Sequence, residues 1–169
     1  MLCVIAKLDG AATEKLQALR NLAFPPGEAG LPLHGHITLA TYVGKEEARF
    51  LEACRELLRD APAFSVRYGR LEVLEETSIL AALPEPSPEL EALHRRIAAA
   101  FPADLDLWTG TERWRAHTTL YYSPEADLES LHRRMETAFT PFTAHISAAE
   151  FSRVLESGYE ILGAVKLSG

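Results

Sequence analysis

Two segments of the chain carry the same short pattern. LHGHITLATYVG contains His36-Ile37-Thr38-Leu39, and RAHTTLYYSPEA contains His117-Thr118-Thr119-Leu120. Side chains alternate between the faces of a β-strand, so His36 and Thr38 share one face, as do His117 and Thr119. The opposite faces differ: Ile37 with Leu39 is apolar, whereas Thr118 with Leu120 is half polar. Two such strands facing one another across a groove would place two imidazoles and two hydroxyls in it. Histidine gains or loses a proton near neutral pH. One neutral imidazole can remove a proton from an attacking water or hydroxyl while the other, protonated, donates to a leaving oxygen. Each such step is worth about 10²–10⁴-fold. The hydroxyls can hold the non-bridging oxygens of a phosphate and align its phosphorus for in-line attack. This set of groups suits phosphodiester chemistry without a metal. One His-x-Thr would mean little in a chain with six histidines; its recurrence at equivalent places in two similar half-chains is what carries weight.

Those places are defined by the surrounding periodicities. An apolar run (Leu2 to Lys7) and a helical pattern (Leu16, Leu19) precede the first motif. Ser78 to Leu83 and a helical pattern on Leu90, Leu93, Ile97 and Phe101 precede the second. A helix with an apolar stripe is expected after each motif, on Phe50, Leu51, Cys54, Leu57 and Leu58, and on Leu128, Leu131, Met135 and Phe139. Strand-like runs follow at Phe64 and Phe142, and Tyr159 to Leu167 closes the chain. Each half reads strand–helix–strand–helix–strand with the motif on the middle strand. Ser87-Pro88-Glu89 and Ser123-Pro124-Glu125 read as helix starts. The segment 24–30 reads as a loop. The expectation is a single domain over 1–169, with similar lobes over about 1–75 and 76–169.

The paired motifs resemble those of the 2H phosphoesterase superfamily, in particular the bacterial 2′-5′ RNA ligase and cyclic phosphodiesterase group. The resemblance spans nearly the whole chain in element order, with identity visible only at the motifs. It implies an α+β, duplicated and bilobal fold, with two antiparallel sheets flanking a central cleft and helices outside. It implies hydrolysis of 2′,3′-cyclic phosphates and, in some members, reversible 2′-5′ joining of RNA ends. It makes His36 and His117 the catalytic pair and Thr38 and Thr119 the phosphate ligands, without assigning acid and base. Ala116 departs from the proline often found before the second histidine, and His34 is an extra histidine beside the first motif.

Other residues are weighed by position. Arg115 and Tyr121 should share the face of His117 and are candidates for substrate binding, as is His34. Lys45 is a weaker candidate for a phosphate contact. Trp114 reads as a partly buried core residue before a stacking one. His94 and His132, each in Leu-His-Arg-Arg, read as edges of solvated helix faces, and His145 is given no role. No Asp, Glu or Cys stands near either motif at a metal-ligand spacing, so no metal and no cofactor is expected. Cys3 and Cys54 read as reduced core thiols.

Composition bounds the partners. The chain is 47% apolar and 24% charged, as folded domains are. Its net charge of −7 and pI of about 5.4 argue against duplex DNA, which needs a basic face. An RNA end with a cyclic phosphate, or a small cyclic nucleotide, remains compatible. No apolar run approaches the roughly 18–20 residues of a membrane span. MLCVIAKLDG lacks the pattern of a secretion signal, so a cytoplasmic monomer is expected. Two alternatives remain at this level: the same chemistry on an ADP-ribose-type, CoA-like or 2′-5′ oligonucleotide substrate, or a non-catalytic nucleotide binder that keeps the fold.

Overall fold

A computed structural model of the chain describes residues 1–28, 32–44, 46–155 and 158–168. Lys45 and the end of the 24–30 loop lie outside the described residues. The elements follow the expected order: β1 (Leu2–Leu8), α1 (Gly10–Asn21), β2 (His36–Tyr42), α2 (Glu47–Leu58), β3 (Phe64–Val73), β4 (Ile79–Pro84), α3 (Pro88–Ala98), β5 (Thr118–Tyr122), α4 (Leu128–Glu136), β6 (Phe142–Leu155) and β7 (Gly158–Lys166). Two single 3₁₀ turns, Pro102–Asp104 and Leu107–Thr109, precede β5.

Each helix buries its stripe against the strands. α1 lies on β5 and β6, α2 on β7, α3 on β2 and α4 on β3. Phe50, Cys54 and Leu58 of α2 and Leu128, Leu131 and Met135 of α4 are buried. Burial pushes the Cys54 thiol up to about 12, so it stays protonated as a core residue. Ser87 caps α3, its hydroxyl accepting from the Leu90 amide, with Pro88 in the first turn. The matching reading at Ser123 fails. Its hydroxyl accepts from the Glu125 and Ala126 amides in a turn, and α4 starts later, capped by Asp127. Asp9 caps α1 and also accepts from the His145 amide, tying the helix start to β6. Gly35 is needed where the approach to β2 crosses α1, because a Cβ there would meet the Thr13 hydroxyl at 2.1 Å.

The α+β class and the antiparallel pairing are as expected, but the strands do not form two sheets. One seven-stranded sheet runs β2-β1-β6-β3-β4-β5, with β7 also on β6. The physical reason is the 14-residue length of β6. Its first part pairs with β3 and its later part with β1 on one edge and β7 on the other. The sequence halves therefore exchange strands: β3 joins β4 and β5, while β6 and β7 join β1 and β2. Among the described residues no helix is long and apolar enough to cross a membrane.

The two motif strands are the outermost strands of this order, yet they meet. The Thr118 hydroxyl donates to the backbone carbonyl of His36 at 2.7 Å, so the sheet curls until its free edges touch. Thr118 has a single hydroxyl proton, so Tyr68, whose oxygen lies 2.7 Å away, is the donor in that second bond. Tyr68 and Thr118 are both buried. Thr118→Val should destabilise the fold by about 2–3 kcal/mol, because it orphans a buried carbonyl and a buried phenol. Tyr68→Phe, which removes one donor and leaves the bridge to His36 in place, should cost about 1 kcal/mol. Urea denaturation of the two variants checks the order.

Candidate active site

β2 and β5 approach without forming a ladder, so three side chains and one loop amide satisfy the free edge of β2. Trp114 Nε1 donates to the Thr38 carbonyl at 2.8 Å. His94 Nδ1 donates to the Leu39 carbonyl at 2.7 Å. The Thr109 hydroxyl accepts from the Thr41 amide at 3.0 Å, and the Asp106 amide donates to the Thr41 carbonyl at 2.8 Å. The His94 and Trp114 rings stack 4.0 Å apart and nearly parallel, at 3°. His94 is only 2% exposed, which corrects its reading as part of a solvated face: the Leu39 carbonyl and the indole draw it inward. Burial holds its pKa below the ordinary value. His132 is also turned inward, its Nε2 donating to the Leu71 carbonyl at 3.2 Å. Trp114 is half-buried against the core, as expected.

The cleft beside this seam holds two cavities. The larger, about 650 Å³, is lined by His117, Arg113, Arg115, Trp108 and Tyr122 among others. The smaller, about 280 Å³, is lined by His34, His36 and Tyr159 among others. Thr38, Thr41 and Met1 line both.

The two motif histidines are held alike. His36 Nδ1 donates to the carbonyl of His34 at 2.7 Å, and His117 Nδ1 donates to that of Arg115 at 2.8 Å. A carbonyl only accepts, so Nδ1 carries a proton in each ring and Nε2 is the nitrogen left for chemistry. Burial is the main cause that pushes both imidazoles below the usual 6.5, partly offset by these carbonyl bonds. His34 and His117 lower His36 further and Glu150 opposes them; Arg115 lowers His117.

The remaining candidates fall out unequally. Thr38 lies between the two cavities. Thr119 is exposed on β5, opposite Ala81, and is outside both linings. Arg115 lines the larger cavity but is paired with Glu72 at 2.8 Å. His34 lines the smaller cavity, its Nε2 donating to Glu150 at 2.6 Å. Tyr121 is a correction. The β4–β5 register shifts between Leu80 and Ala81, which pair with Tyr121 and Thr119. The extra residue, Leu120, makes a bulge that reverses the alternation. Tyr121 therefore packs edge-on against Phe24, with centroids 6.0 Å apart, and Tyr122 lines the cavity of His117. His145 is exposed.

Sequence reasoning missed Glu150 altogether. It is 6% exposed on β6, with one oxygen on His34 and the other 2.7 Å from Lys7 Nζ. These partners hold its carboxyl below the usual range despite burial. Its signal was a lone acid inside the apolar run Ala148-Ala149-Glu150-Phe151. Trp108 and Tyr159 were missed too; nothing local distinguishes them from other loop or strand aromatics. Among the described residues no group of three or more His, Cys, Asp or Glu side chains is arranged to hold a metal ion.

Solved structures share this architecture at low identity. A crystal structure of a phosphoesterase aligns with a TM-score of 0.71 at 17% identity, covering 99% of this chain and 98% of that one. TT0787 of Thermus thermophilus aligns at 0.70 and 16%, covering 99% and 98%. E. coli LigT, complexed with 3′-AMP, aligns at 0.67 and 15%, covering 99% and 97%. No curated protein matches in sequence. The family model of the 2′-5′ RNA ligase superfamily matches residues 8–157, nearly the full length and both motifs, and the chain belongs to that superfamily.

Proposed function

We propose that the chain is a metal-independent phosphodiesterase that opens 2′,3′-cyclic phosphates, on an RNA end or a small nucleotide, with His36 and His117 as acid and base. The observation that carries this reading is the matched tethering of the two imidazoles. Each has Nδ1 fixed on the carbonyl two residues before it, and the cavities they line share Thr38. Water adds to phosphorus as one ribose oxygen departs. One Nε2 takes the proton of the water and the other gives a proton to the ribose oxygen, after which solvent restores both rings. The Thr38 hydroxyl, and Thr119 on a substrate that reaches it, hold the non-bridging oxygens. A ribose hydroxyl in place of water would give the joining reaction. His34 and Arg115 line the approach on either side. Membership of the superfamily and the nucleotide complex of LigT support a nucleotide substrate.

Turnover of 2′,3′-cyclic nucleotides should persist in EDTA. His36→Ala and His117→Ala should each lose about 10²–10⁴-fold in kcat while remaining folded by circular dichroism, and Thr38→Ala should lose less. Activity that needs added metal, or that survives removal of either imidazole, would overturn the proposal. Tight nucleotide binding without turnover would point to a binding protein.

The profile of kcat/KM against pH should be a bell, because one imidazole must be neutral and the other charged. Both pKa values lie below 6.5 in the free protein, so the acid limb falls where the base becomes protonated and the alkaline limb where the acid loses its proton. Both limbs, and the optimum between them, should sit on the acid side of 6.5. An optimum above 8 would contradict the assignment.

A further inference from the structure

The two cavities flanking Thr38 are unequal, and the difference bears on what accompanies the phosphate. Pockets for small organic ligands run to about 300–1,000 Å³. At about 650 Å³ the cavity of His117 lies within that range, whereas the one of His36, at about 280 Å³, lies just under it.

The larger cavity also presents aromatic surface. Trp108 is 52% exposed and Tyr122 66%, a large exposure for side chains of this size, and both are lining residues. Trp108 sits on a braced mount. Its amide donates to the Asp106 carboxylate at 2.9 Å, and the next residue, Thr109, is buried and bonded to β2 at Thr41. The Arg113 guanidinium lies 5.8 Å from the Trp108 ring centroid, within reach of a cation–π contact. A cation on one face leaves the other face to a planar partner. Tyr122 owes its place to the bulge in β5, so the same local irregularity that buries Tyr121 supplies a second aromatic here.

The charges in the lining decide how many phosphates fit. Glu75, Glu76 and Asp106 line the cavity together with Arg113 and Arg115, and Arg115 is already paired with Glu72. That lining welcomes an uncharged ring with amino and hydroxyl donors and opposes a second phosphate.

We propose that the cavity beside His117 is a nucleobase subsite with the Trp108 indole as its stacking platform, so that the substrate is a nucleotide with one phosphate at the histidine pair and not a pyrophosphate-bridged compound. This rests on the functional reading above, but it is tested through binding. Stacking on an aromatic side chain is worth about 5- to 150-fold in affinity per base.

The experiment uses calorimetric titration of the full chain with 3′-AMP, inorganic phosphate and ADP-ribose, backed by tryptophan fluorescence. Trp108 and Trp114 are the two tryptophans of the chain, so loss of the nucleotide-dependent signal in Trp108→Phe assigns it. We expect 3′-AMP to bind at least fivefold more tightly than inorganic phosphate and than ADP-ribose. Trp108→Ala should abolish the preference over phosphate, and Trp108→Phe should keep most of it. Phosphate affinity is the internal control that Trp108→Ala leaves the fold and the histidine pair intact. An unchanged preference in Trp108→Ala, or 3′-AMP binding no tighter than phosphate, overturns the subsite. ADP-ribose binding as tightly as 3′-AMP overturns the single-phosphate restriction. Failure of the functional reading would look different: cyclic nucleotides would not turn over in the same preparation, while a Trp108-dependent preference for the base would persist.

Discussion

The site depends on closing the two free edges of one sheet. An edge strand carries unpaired amides and carbonyls that must find partners once covered. β2 and β5 end opposite sides of the strand order, and the edge of β2 is met by side chains: Thr118 of β5 on the His36 carbonyl, Trp114 from the segment before β5 on that of Thr38, and His94 of α3 on that of Leu39. Two of these carbonyls belong to the residues whose side chains are the chemical candidates. Satisfying the edge and fixing the positions of His36 and Thr38 are therefore one event. Removing a donor from this seam both orphans a backbone group and loosens the strand that carries the motif.

Within that frame the two histidines are alike in tethering and unlike in surroundings. Both rings hand Nδ1 to a carbonyl two residues back, so the duplication extends to the tautomer. On the side of His36 stands a nearly buried carboxylate, Glu150, ion-paired with Lys7 and hydrogen-bonded by His34. Burying a carboxylate is unfavourable unless its oxygens are paired, and both are. On the side of His117 stands Arg115, itself shared with Glu72. A symmetric pair of motifs thus sits in an asymmetric field, which is what the proposed acid–base pairing requires of two identical groups.

Much of this was legible in the residues, and what was not has physical causes. Period-3.6 stripes and apolar runs place every helix and strand because each must bury one side, and Ser87-Pro88 marks a helix start because capping is local. The reading of Ser123-Pro124 fails because a serine turn and a serine cap look alike until Asp127, further on, competes for the helix end. Tyr121 and Tyr122 exchange roles because a bulge is a property of two paired strands and leaves no mark in one of them. The sharing of β6 between two groups of strands depends on pairing partners far apart in sequence. Glu150 could have been noticed as an acid in an apolar run, but its partners, Lys7 and His34, lie more than a hundred residues away.

The duplication is broken at one telling place. The backs of the motif strands face the interior: Ile37 and Leu39 are fully buried, as are Leu120 and Thr118. A hydroxyl at Thr118, where the other repeat has Ile37, would be a liability if each repeat packed by itself, because a buried hydroxyl needs partners. Here it has two, Tyr68 from β3 and the His36 carbonyl from the opposite motif. An isoleucine could fill the same space, but it could neither accept from the phenol nor donate across the seam. The half-polar back of the second motif is thus the feature that ties one motif strand to the other, and two copies of a single pattern meet because they are not identical.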